Sequence, residues 1–428
     1  IIAFLYLLII VGSCTPLNNI STRNSNNTQS DSQQEMHDEK VETKQIISSN
    51  EKNSINEPVI LENDAIIRNN ITIILSKNDS FDIVSQFINV VELAVYQKKL
   101  KNISFDIKLY NNSSELDDFI KENSSPGKIF VGPLNSSDTS LLKKYCNEGV
   151  IFFSFSSNKE LAHDCIYLVN FFPENEIRTV FNYFPENSKI AFLYPENIYG
   201  FGINETIDQI AEQSNSVIVN RTSYNENLTN AAEAIKELGK YELRKYKLDR
   251  QKKILATRND DKSKKRLIKL ERFQTTQDYD FTHVLIADYG LRLLQVAPLL
   301  AYYDIDPNIV KFVGTGAWDD KVFYDEPSLN GSIYPGIEFK KRKELTENYY
   351  NLYGETLLRT STLPFDLIGL LTYVIDNNFT ISLLYKLLNE DNTKFSGIDG
   401  SFYFLNNAIE RDLSILKIEE GKAVVVSK

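Results

Sequence analysis

Histidine is scarce in this chain, and the common catalytic motifs are absent. Only His37, His163 and His283 occur among 428 residues. The sequence also lacks the GxSxG, HExxH, GxxxxGK(S/T) and GxGxxG patterns that are typical of hydrolases, metalloproteases and nucleotide-binding proteins. Asp319 and Asp320 are adjacent carboxylates whose side chains we expect to diverge in a loop. These absences predict a non-catalytic protein that needs no metal and no cofactor.

Cysteine is equally rare, with three residues and no CxxC spacing, which excludes the usual zinc-binding and thioredoxin-type sites. Cys146 and Cys165 flank one predicted strand. In an oxidising compartment they could form a disulfide that closes a loop of about twenty residues, worth roughly 3 kcal/mol. Two free, buried thiols are the alternative, and the residues alone do not choose between the two.

Long hydrophobic runs are missing except at the beginning of the sequence. Residues 1–11 are apolar, a run too short to span a bilayer but typical of the central region of a signal peptide, although no basic n-region precedes it. The segment that ends in Gly12-Ser13-Cys14 resembles the bacterial lipobox. We therefore expect a signal peptide over 1–13 and a periplasmic protein anchored through a lipid on Cys14, with Thr15 favouring the outer membrane. The alternative is an ordinary signal peptide with an incidental cysteine.

Aromatic residues are few between residues 14 and 69, where Asn, Ser, Gln, Asp, Glu and Lys predominate. A segment of this composition cannot bury enough apolar surface to fold, so we expect a disordered tether. Combined with a lipid on Cys14, the tether would let the folded part lie tens of ångströms from a membrane.

An excess of positive charge is also missing. The net charge of −11 argues against nucleic acid as the main partner. The exception is the segment from about 236 to 275, where basic side chains predominate and leucines at helical spacing predict a helical hairpin insertion. We interpret it as a candidate docking surface for an anionic polymer, a lipid headgroup or a partner protein, represented by Arg244, Lys245, Lys264 and Lys265. A solvated insertion without a role is the alternative.

Short apolar runs alternate with helical periodicity beyond Asn70. Ile71–Leu75 is a buried-strand signal, apolar residues then recur at helical spacing from Phe81 to Val95, and the rhythm restarts at Lys189–Tyr194. This alternation predicts an α/β protein with parallel sheets and two lobes. The expected bounds are 70–172 plus about 340–395 for lobe 1, and 173–339 plus about 396–428 for lobe 2.

Two predicted turns resemble those of the leucine/isoleucine/valine-binding protein superfamily. They are Val131–Ser137, which reads VGPLNSS, and Phe152–Ser157, which reads FFSFSS. The resemblance spans roughly residues 70 to 428. It implies the type I periplasmic-binding fold, in which two Rossmann-like lobes with parallel central sheets are joined by a multi-strand hinge and enclose a ligand cleft.

In the amino-acid receptors of that superfamily, hydroxyls and backbone N–H groups in the turns after the third and fourth strands bind the ligand carboxylate. The matching positions here are Ser136, Ser156 and Asn158, which would form an anion cradle. Helix capping is the alternative role of these side chains. The aromatic wall of the second lobe corresponds to Tyr199 and Tyr289.

The acid that holds the ligand ammonium in those receptors corresponds to Gly316 in this chain. A buried ammonium without a counter-charge costs several kcal/mol. The resemblance therefore implies α-amino-acid binding only if Asp288 or Asp319 supplies that charge.

A narrower resemblance, to the penicillin-binding-protein activator group, rests on Leu294–Leu300, Gly314–Asp320 and Phe395–Phe404. Members of this group are lipoproteins of the same fold with an extended helical insertion in the second lobe. The resemblance implies an adaptor or activator that docks on a peptidoglycan synthase. The alternative is a solute-binding lipoprotein that presents an amino-acid-like or other small anionic ligand to the permease of an ABC importer. We expect Trp318 to pack near the inter-lobe strands.

Overall fold

A computed structural model describes residues 64–390 and 393–427 of the chain. The expected signal peptide 1–13, the lipidation site Cys14 and the tether as far as residue 63 lie outside the described residues. Residues 64–69 were also expected in the disordered tether, but they pack on lobe 1, where Ile67 is buried and its backbone N–H donates to the carbonyl of Phe379 at 2.9 Å. The described part forms two lobes, each built on one sheet with accompanying helices.

Strands and helices follow one another along the chain in three stretches. The first comprises β1 (Asn70–Ser76), α1 (Phe81–Lys98), β2 (Ser104–Tyr110), α2 (Ser113–Asn123), β3 (Ile129–Val131), α3 (Ser136–Leu141), β4 (Ile151–Ser154) and β5 (Ile166–Leu168). The second comprises α4 (Pro173–Tyr183), β6 (Lys189–Pro195), α5 (Ile198–Gln213), β7 (Val217–Tyr224), α6 (Ala231–Leu238), α7 (Tyr241–Ala256), α8 (Asp261–Leu270), β8 (His283–Ile286), α9 (Gly290–Tyr302), β9 (Lys311–Val313) and β10 (Ile333–Gly336). The third comprises α10 (Phe339–Tyr353), α11 (Leu363–Asp376), α12 (Ile381–Asn389), β11 (Phe395–Gly397), β12 (Gly400–Leu405), β13 (Ala408–Arg411), β14 (Ser414–Glu419) and β15 (Lys422–Ser427).

The sheet of lobe 1 has eight strands in the order β11-β12-β13-β5-β4-β3-β1-β2. Strands β1 to β5 are parallel, and β3, β4 and β5 are buried along their whole length. Continuous burial of apolar strands is what a parallel sheet covered on both faces requires. The sequence prediction of a parallel α/β core is confirmed here.

The sheet of lobe 2 has seven strands in the order β15-β14-β10-β9-β8-β6-β7. Strands β6 to β10 are parallel, whereas β14 pairs antiparallel with β10 and β15 antiparallel with β14. The hairpin between β14 and β15 turns at Gly421, whose φ of 75° lies in the left-handed region that glycine tolerates.

The chain passes between the lobes three times, at residues 169–172, 337–338 and 412–413. The first two passages follow the carboxyl ends of the parallel strands β5 and β10. The carboxyl edges of the two sheets therefore meet at the inter-lobe cleft, which is where α/β proteins of this kind place their ligands.

The sheet pairing corrects the expected boundary of lobe 2. Residues 396–411 were expected there, but β11 to β13 complete the sheet of lobe 1, where Ala408 of β13 pairs in parallel with Leu168 of β5. Only β14 and β15 return to lobe 2. The reason is the third passage at 412–413, which divides what reads in the sequence as one β meander.

The structure contains a disulfide and a helical hairpin at the positions considered in the sequence. Cys146 and Cys165 form a disulfide with their Cα atoms 5.1 Å apart, which closes the loop that contains β4. Helices α7 and α8 form the expected helical hairpin, and Asp260 caps α8 by accepting a hydrogen bond from the backbone N–H of Ser263 at 2.9 Å.

Trp318 packs in the core of lobe 2, fully buried, and its indole N–H donates a hydrogen bond to the backbone carbonyl of Asp288 at 3.0 Å. The indole ring lies against Gly314, where a Cβ atom would overlap it. A small residue is thus required at the end of β9 for the tryptophan to fill this core.

We expect Gly314→Ala to displace the indole and to lower the free energy of unfolding by about 1–3 kcal/mol, the usual effect of overpacking. Because Trp318 is the single tryptophan of the chain, its fluorescence should shift to the red. Gly202→Ala is the matched control, since no described atom outside its chain neighbours and its own helix backbone lies within 4 Å of a Cβ atom there. An unshifted emission spectrum in Gly314→Ala would contradict this account of the core.

Candidate functional site at the inter-lobe cleft

The two serines of the expected cradle are brought together in lobe 1. Ser136 is the first residue of α3, Ser156 lies two residues beyond β4, and their hydroxyl oxygens are 2.7 Å apart. The backbone N–H of Asn158 donates to the Ser156 hydroxyl at 3.1 Å. The side chain of Asn158 instead caps a short 3-10 helix by accepting from the N–H of Glu160 at 3.0 Å. Two hydroxyls and one amide therefore converge, whereas the Asn158 side chain has the alternative capping role.

The two tyrosines of the expected aromatic wall are also neighbours. The rings of Tyr199 and Tyr289 are perpendicular, with centroids 5.2 Å apart. The Tyr199 hydroxyl donates a hydrogen bond to the Thr315 hydroxyl at 2.6 Å. Burial and the nearby charge of Glu176 raise the pKa of Tyr199 far above its ordinary value, so the phenol stays protonated. Sequence reasoning missed Thr315, although it immediately precedes Gly316.

Asp288 already has a complete set of partners inside lobe 2. Its carboxylate is fully buried, accepts a hydrogen bond from the Tyr224 hydroxyl at 2.6 Å and pairs with the Arg292 guanidinium at 2.9 Å. A carboxylate held in this way by its own helix neighbour stabilises the turn into α9. It has no free oxygen with which to balance a ligand ammonium.

The Asp319 carboxylate is likewise bound to side chains of the protein itself. It pairs with the Arg342 guanidinium of α10 and accepts from the Tyr324 hydroxyl at 3.0 Å. Because Arg342 belongs to lobe 1 and Asp319 to lobe 2, this pair joins the lobes. Neither of the two acids considered as substitutes for the one absent at Gly316 is available.

A carboxylate does reach Gly316, and it comes from Glu176 on α4. The Gly316 N–H donates to Glu176 at 2.9 Å, and a Cβ atom at position 316 would overlap both Glu176 and Arg359. The Glu176 carboxylate pairs with the Arg359 guanidinium at 3.2 Å, and that guanidinium lies 4.2 Å from the centroid of the Phe171 ring. Glycine at 316 thus leaves room for an ion pair contributed by other parts of the chain. Sequence reasoning missed this pair because Glu176 lies 140 residues before Gly316.

The Glu176–Arg359 pair belongs to a buried network at the hinge, with two carboxylates from lobe 2 and the remaining groups from lobe 1. Its members are Glu176, Asp319, Asp366 and Asp399 as carboxylates and Arg342, Arg359 and Arg411 as guanidiniums. Burial raises the pKa of Asp366 to about 6, with Arg411 opposing the rise and Asp399 adding to it. The acids outnumber the arginines by one, which agrees with a carboxyl that holds its proton at mildly acidic pH.

The basic hairpin requires one correction. Arg244 was expected on a docking surface, but it is 2% exposed and its guanidinium lies 4.7 Å from the centroid of the Tyr279 ring. It donates hydrogen bonds to backbone carbonyls of Gly239, Thr276 and Asp304 at 2.7–3.0 Å. Arg244 therefore secures the base of the hairpin.

The other candidates on the hairpin, Lys245, Lys264 and Lys265, are exposed. Thirteen basic and five acidic side chains lie between residues 241 and 273. The hairpin thus carries a strong positive charge on a protein whose net charge is negative.

The described residues hold neither a metal-binding cluster nor a membrane-spanning helix. Across 64–390 and 393–427, no group of three or more histidine, cysteine or acidic side chains is placed to hold a metal ion. Over the same residues, no helix combines the length and the apolar character needed to cross a membrane.

We expect Glu176→Gln to lower the free energy of unfolding by about 3–5 kcal/mol, because it leaves the Arg359 charge buried without its partner. Glu176→Gln combined with Arg359→Met should recover a large part of that loss. Chemical denaturation of the wild type, both single variants and the double variant completes the cycle. Additive losses in the double variant would show that the two side chains do not stabilise each other.

The pKa of Asp366 predicts a pH dependence. Its native value of about 6 lies above the ordinary 3.8, so the folded state favours the protonated carboxyl. The stabilisation of the folded state by the protonated Asp366 carboxyl is fully present below about pH 4 and is lost as the pH rises through about 6. Asp366→Asn should flatten the change of the unfolding free energy across that interval relative to the wild type, as measured by denaturation between pH 4 and 7. Identical pH dependence of the unfolding free energy in the wild type and in Asp366→Asn would contradict this role of Asp366.

Comparisons with known proteins identify the fold. Neither the protein-family models nor the curated proteins contain a match. Among solved structures, a putative branched-chain amino acid ABC transporter protein from Rhodospirillum rubrum is 12% identical, with a TM-score of 0.64 over 84% of this chain and 100% of that one. The C-domain of LpoA (YraM) from Haemophilus influenzae, described as a regulator of PBP1A, is 14% identical, with a TM-score of 0.58 over 83% of this chain and 99% of that one.

Full-length LpoA from Haemophilus influenzae is also 14% identical, with a TM-score of 0.58, and the match covers 84% of this chain and 59% of that one. The structural neighbours thus include both groups that the sequence resembles, substrate-binding proteins of ABC transporters and a penicillin-binding-protein regulator. At this level of identity the similarity concerns the fold. The chain is a two-lobed α/β protein with the type I periplasmic-binding fold.

Proposed function

We propose that this chain is a non-catalytic, extracytoplasmic lipoprotein that acts as an adaptor or activator of a peptidoglycan synthase. The observation that carries the proposal is the ion pair at Gly316. At the position where an amino-acid receptor would present an acid to the ligand ammonium, the Glu176 carboxylate already pairs with the Arg359 guanidinium at 3.2 Å.

The energetics of that pair disfavour an amino-acid ligand. An entering ammonium would have to displace a guanidinium from a carboxylate that is only 4% exposed. Breaking a buried pair costs about 3–5 kcal/mol, which a single small ligand must recover before it binds at all. An inner cleft occupied by the protein's own charges suits a scaffold better than a receptor.

The basic hairpin supports the adaptor hypothesis. Lys245, Lys264 and Lys265 are exposed, and the positive charge of the hairpin gives it attraction for an acidic protein surface. The related fold of LpoA, described as a regulator of PBP1A, is consistent with a synthase as the partner.

The proposed location follows from the sequence before residue 64. A lipid on Cys14 would hold the protein in a bacterial membrane, with the outer membrane favoured by Thr15. If residues 14–63 form the expected tether, a segment of about fifty residues would have a mean extension of roughly 40 Å, enough to let the lobes reach a partner in the periplasm.

The charge reversals Lys245→Glu, Lys264→Glu and Lys265→Glu, made together, test the proposal. We expect recovery of a purified bifunctional peptidoglycan synthase with the immobilised full-length lipoprotein to fall by about tenfold or more, because rim charges govern the encounter of charged surfaces. The matched control reverses Lys99, Lys101 and Lys121, which are equally exposed but lie in lobe 1. Failure of the wild type to retain the synthase would contradict the proposed function, and equal retention by both triple variants would exclude the hairpin as the docking surface.

A solute-binding lipoprotein for an ABC importer is the second candidate, favoured by the paired hydroxyls of Ser136 and Ser156 at the carboxyl edge of lobe 1. Thermal melting in a screen of amino acids, peptides and small carboxylates distinguishes the two. A true ligand at a hundred times its dissociation constant adds about 2.7 kcal/mol. A tight ligand whose effect disappears in Ser136→Ala would favour this second function over the first.

A further inference from the structure

Large apolar side chains are exposed at the mouth of the cleft. Ile198 is 92% exposed and Leu291 is 75% exposed in lobe 2, and Phe81 is 81% exposed in lobe 1. Each lies in the first turn of a helix that follows a parallel strand, namely α5 after β6, α9 after β8 and α1 after β1. All three therefore lie at the carboxyl edges of the two sheets, which meet at the cleft.

The apolar residues of lobe 2 form one patch. Strands β6 and β8 are neighbours in the sheet, so the helices that follow them begin side by side. The contact between the rings of Tyr199 and Tyr289, next to Ile198 and Leu291, confirms that these two turns touch. Phe201, 47% exposed, extends the patch along α5. Contiguous exposed apolar side chains of this kind mark interaction sites.

Acidic side chains lie next to the exposed apolar residues in both lobes. Glu196 and Glu226 are exposed beside the patch, and the side-chain amide of Asn197 donates to Glu226 at 3.0 Å. On lobe 1, Asp82 is exposed next to Phe81. Arg292 lies in this region but is paired with the buried Asp288, and Lys77 offsets one acidic charge on lobe 1. The mouth is therefore apolar at its centre and acidic at its edge.

We propose that the mouth of the cleft binds a polypeptide segment of a partner protein in which apolar and basic side chains alternate or form an amphipathic helix. This inference rests on the proposed adaptor function and names the chemistry of the partner. A segment lying across the mouth would cover Ile198 and Leu291 and place its basic groups against Glu196 and Glu226. The acidic edge disfavours an anionic membrane, and the Glu176–Arg359 pair disfavours deep insertion of a ligand ammonium at the hinge end.

The probe is a fluorescein-labelled twelve-residue peptide of leucine and lysine, titrated with the folded lipoprotein and followed by fluorescence anisotropy. The test variant combines Ile198→Ser with Leu291→Ser. The control combines Tyr96→Ser with Tyr302→Ser, two residues that are 79% and 70% exposed near the carboxyl ends of α1 and α9, away from the mouth. We expect at least tenfold weaker binding in the test variant, less than twofold change in the control, and little binding of a leucine–glutamate peptide to the wild type.

Equal losses in both double variants, or unchanged binding in the test variant, would overturn the inference. So would displacement of the peptide by benzoate or leucine, which would assign the mouth to a small ligand. A concentration-dependent dimer of the wild type that the test variant abolishes would assign it to a second copy of the chain. The peptide titration does not use the synthase, so its failure leaves the co-purification result standing, and failure to retain the synthase leaves the titration interpretable.

Discussion

The ion pair between Glu176 and Arg359 is the contact on which the arrangement of the two lobes depends. Glu176 lies on α4 of lobe 2, whereas Arg359 precedes α11 of lobe 1, and the carboxylate is almost entirely removed from water. Opposite charges in such a site stabilise each other strongly, but either charge alone would be very unfavourable. Separation of the lobes at this point would have to rehydrate both groups at once, so the pair favours a single inter-lobe arrangement.

In the network around this pair, two glycines leave space for carboxylates to lie against the backbone. Glu176 occupies the space beside Gly316, and Asp366 occupies the space beside Gly397, where the N–H of Ile398 donates to it at 2.8 Å. Both glycines belong to the segments on which the resemblance to the penicillin-binding-protein activator group rests, and those segments also supply Asp319 and Asp399. The residues that resemble that group thus build the hinge.

The alternation of strands and helices was predictable because buried parallel strands are apolar along their length, as Ile71–Leu75 shows. The placement of 396–411 was not, since an antiparallel strand pair reads the same in either sheet and only the pairing of Ala408 with Leu168 decides its lobe. Arg244 was read as a surface charge for a similar reason. Its acceptors are carbonyls as far as 60 residues away along the chain, and local periodicity carries no trace of them.

In the candidate site, too, residues in local patterns could be predicted, whereas contacts between distant parts of the chain could not. Ser136 and Ser156 were found because each follows its own strand, a local pattern that the fold converts into a contact. Glu176 was not found, because no local pattern connects α4 with the turn after β9. An acid absent from its expected position at Gly316 is therefore supplied from a distance and neutralised by Arg359. The charge at this position is thus balanced within the protein, and only the contacts across the lobes show it.

The two ends of the cleft differ in how their side chains are satisfied. The charges at the hinge are satisfied within the protein, while Phe81, Ile198 and Leu291 remain exposed. Covering these side chains would contribute favourable free energy to the binding of a partner that lies across the rim. A polypeptide segment of the proposed partner is an occupant of this kind.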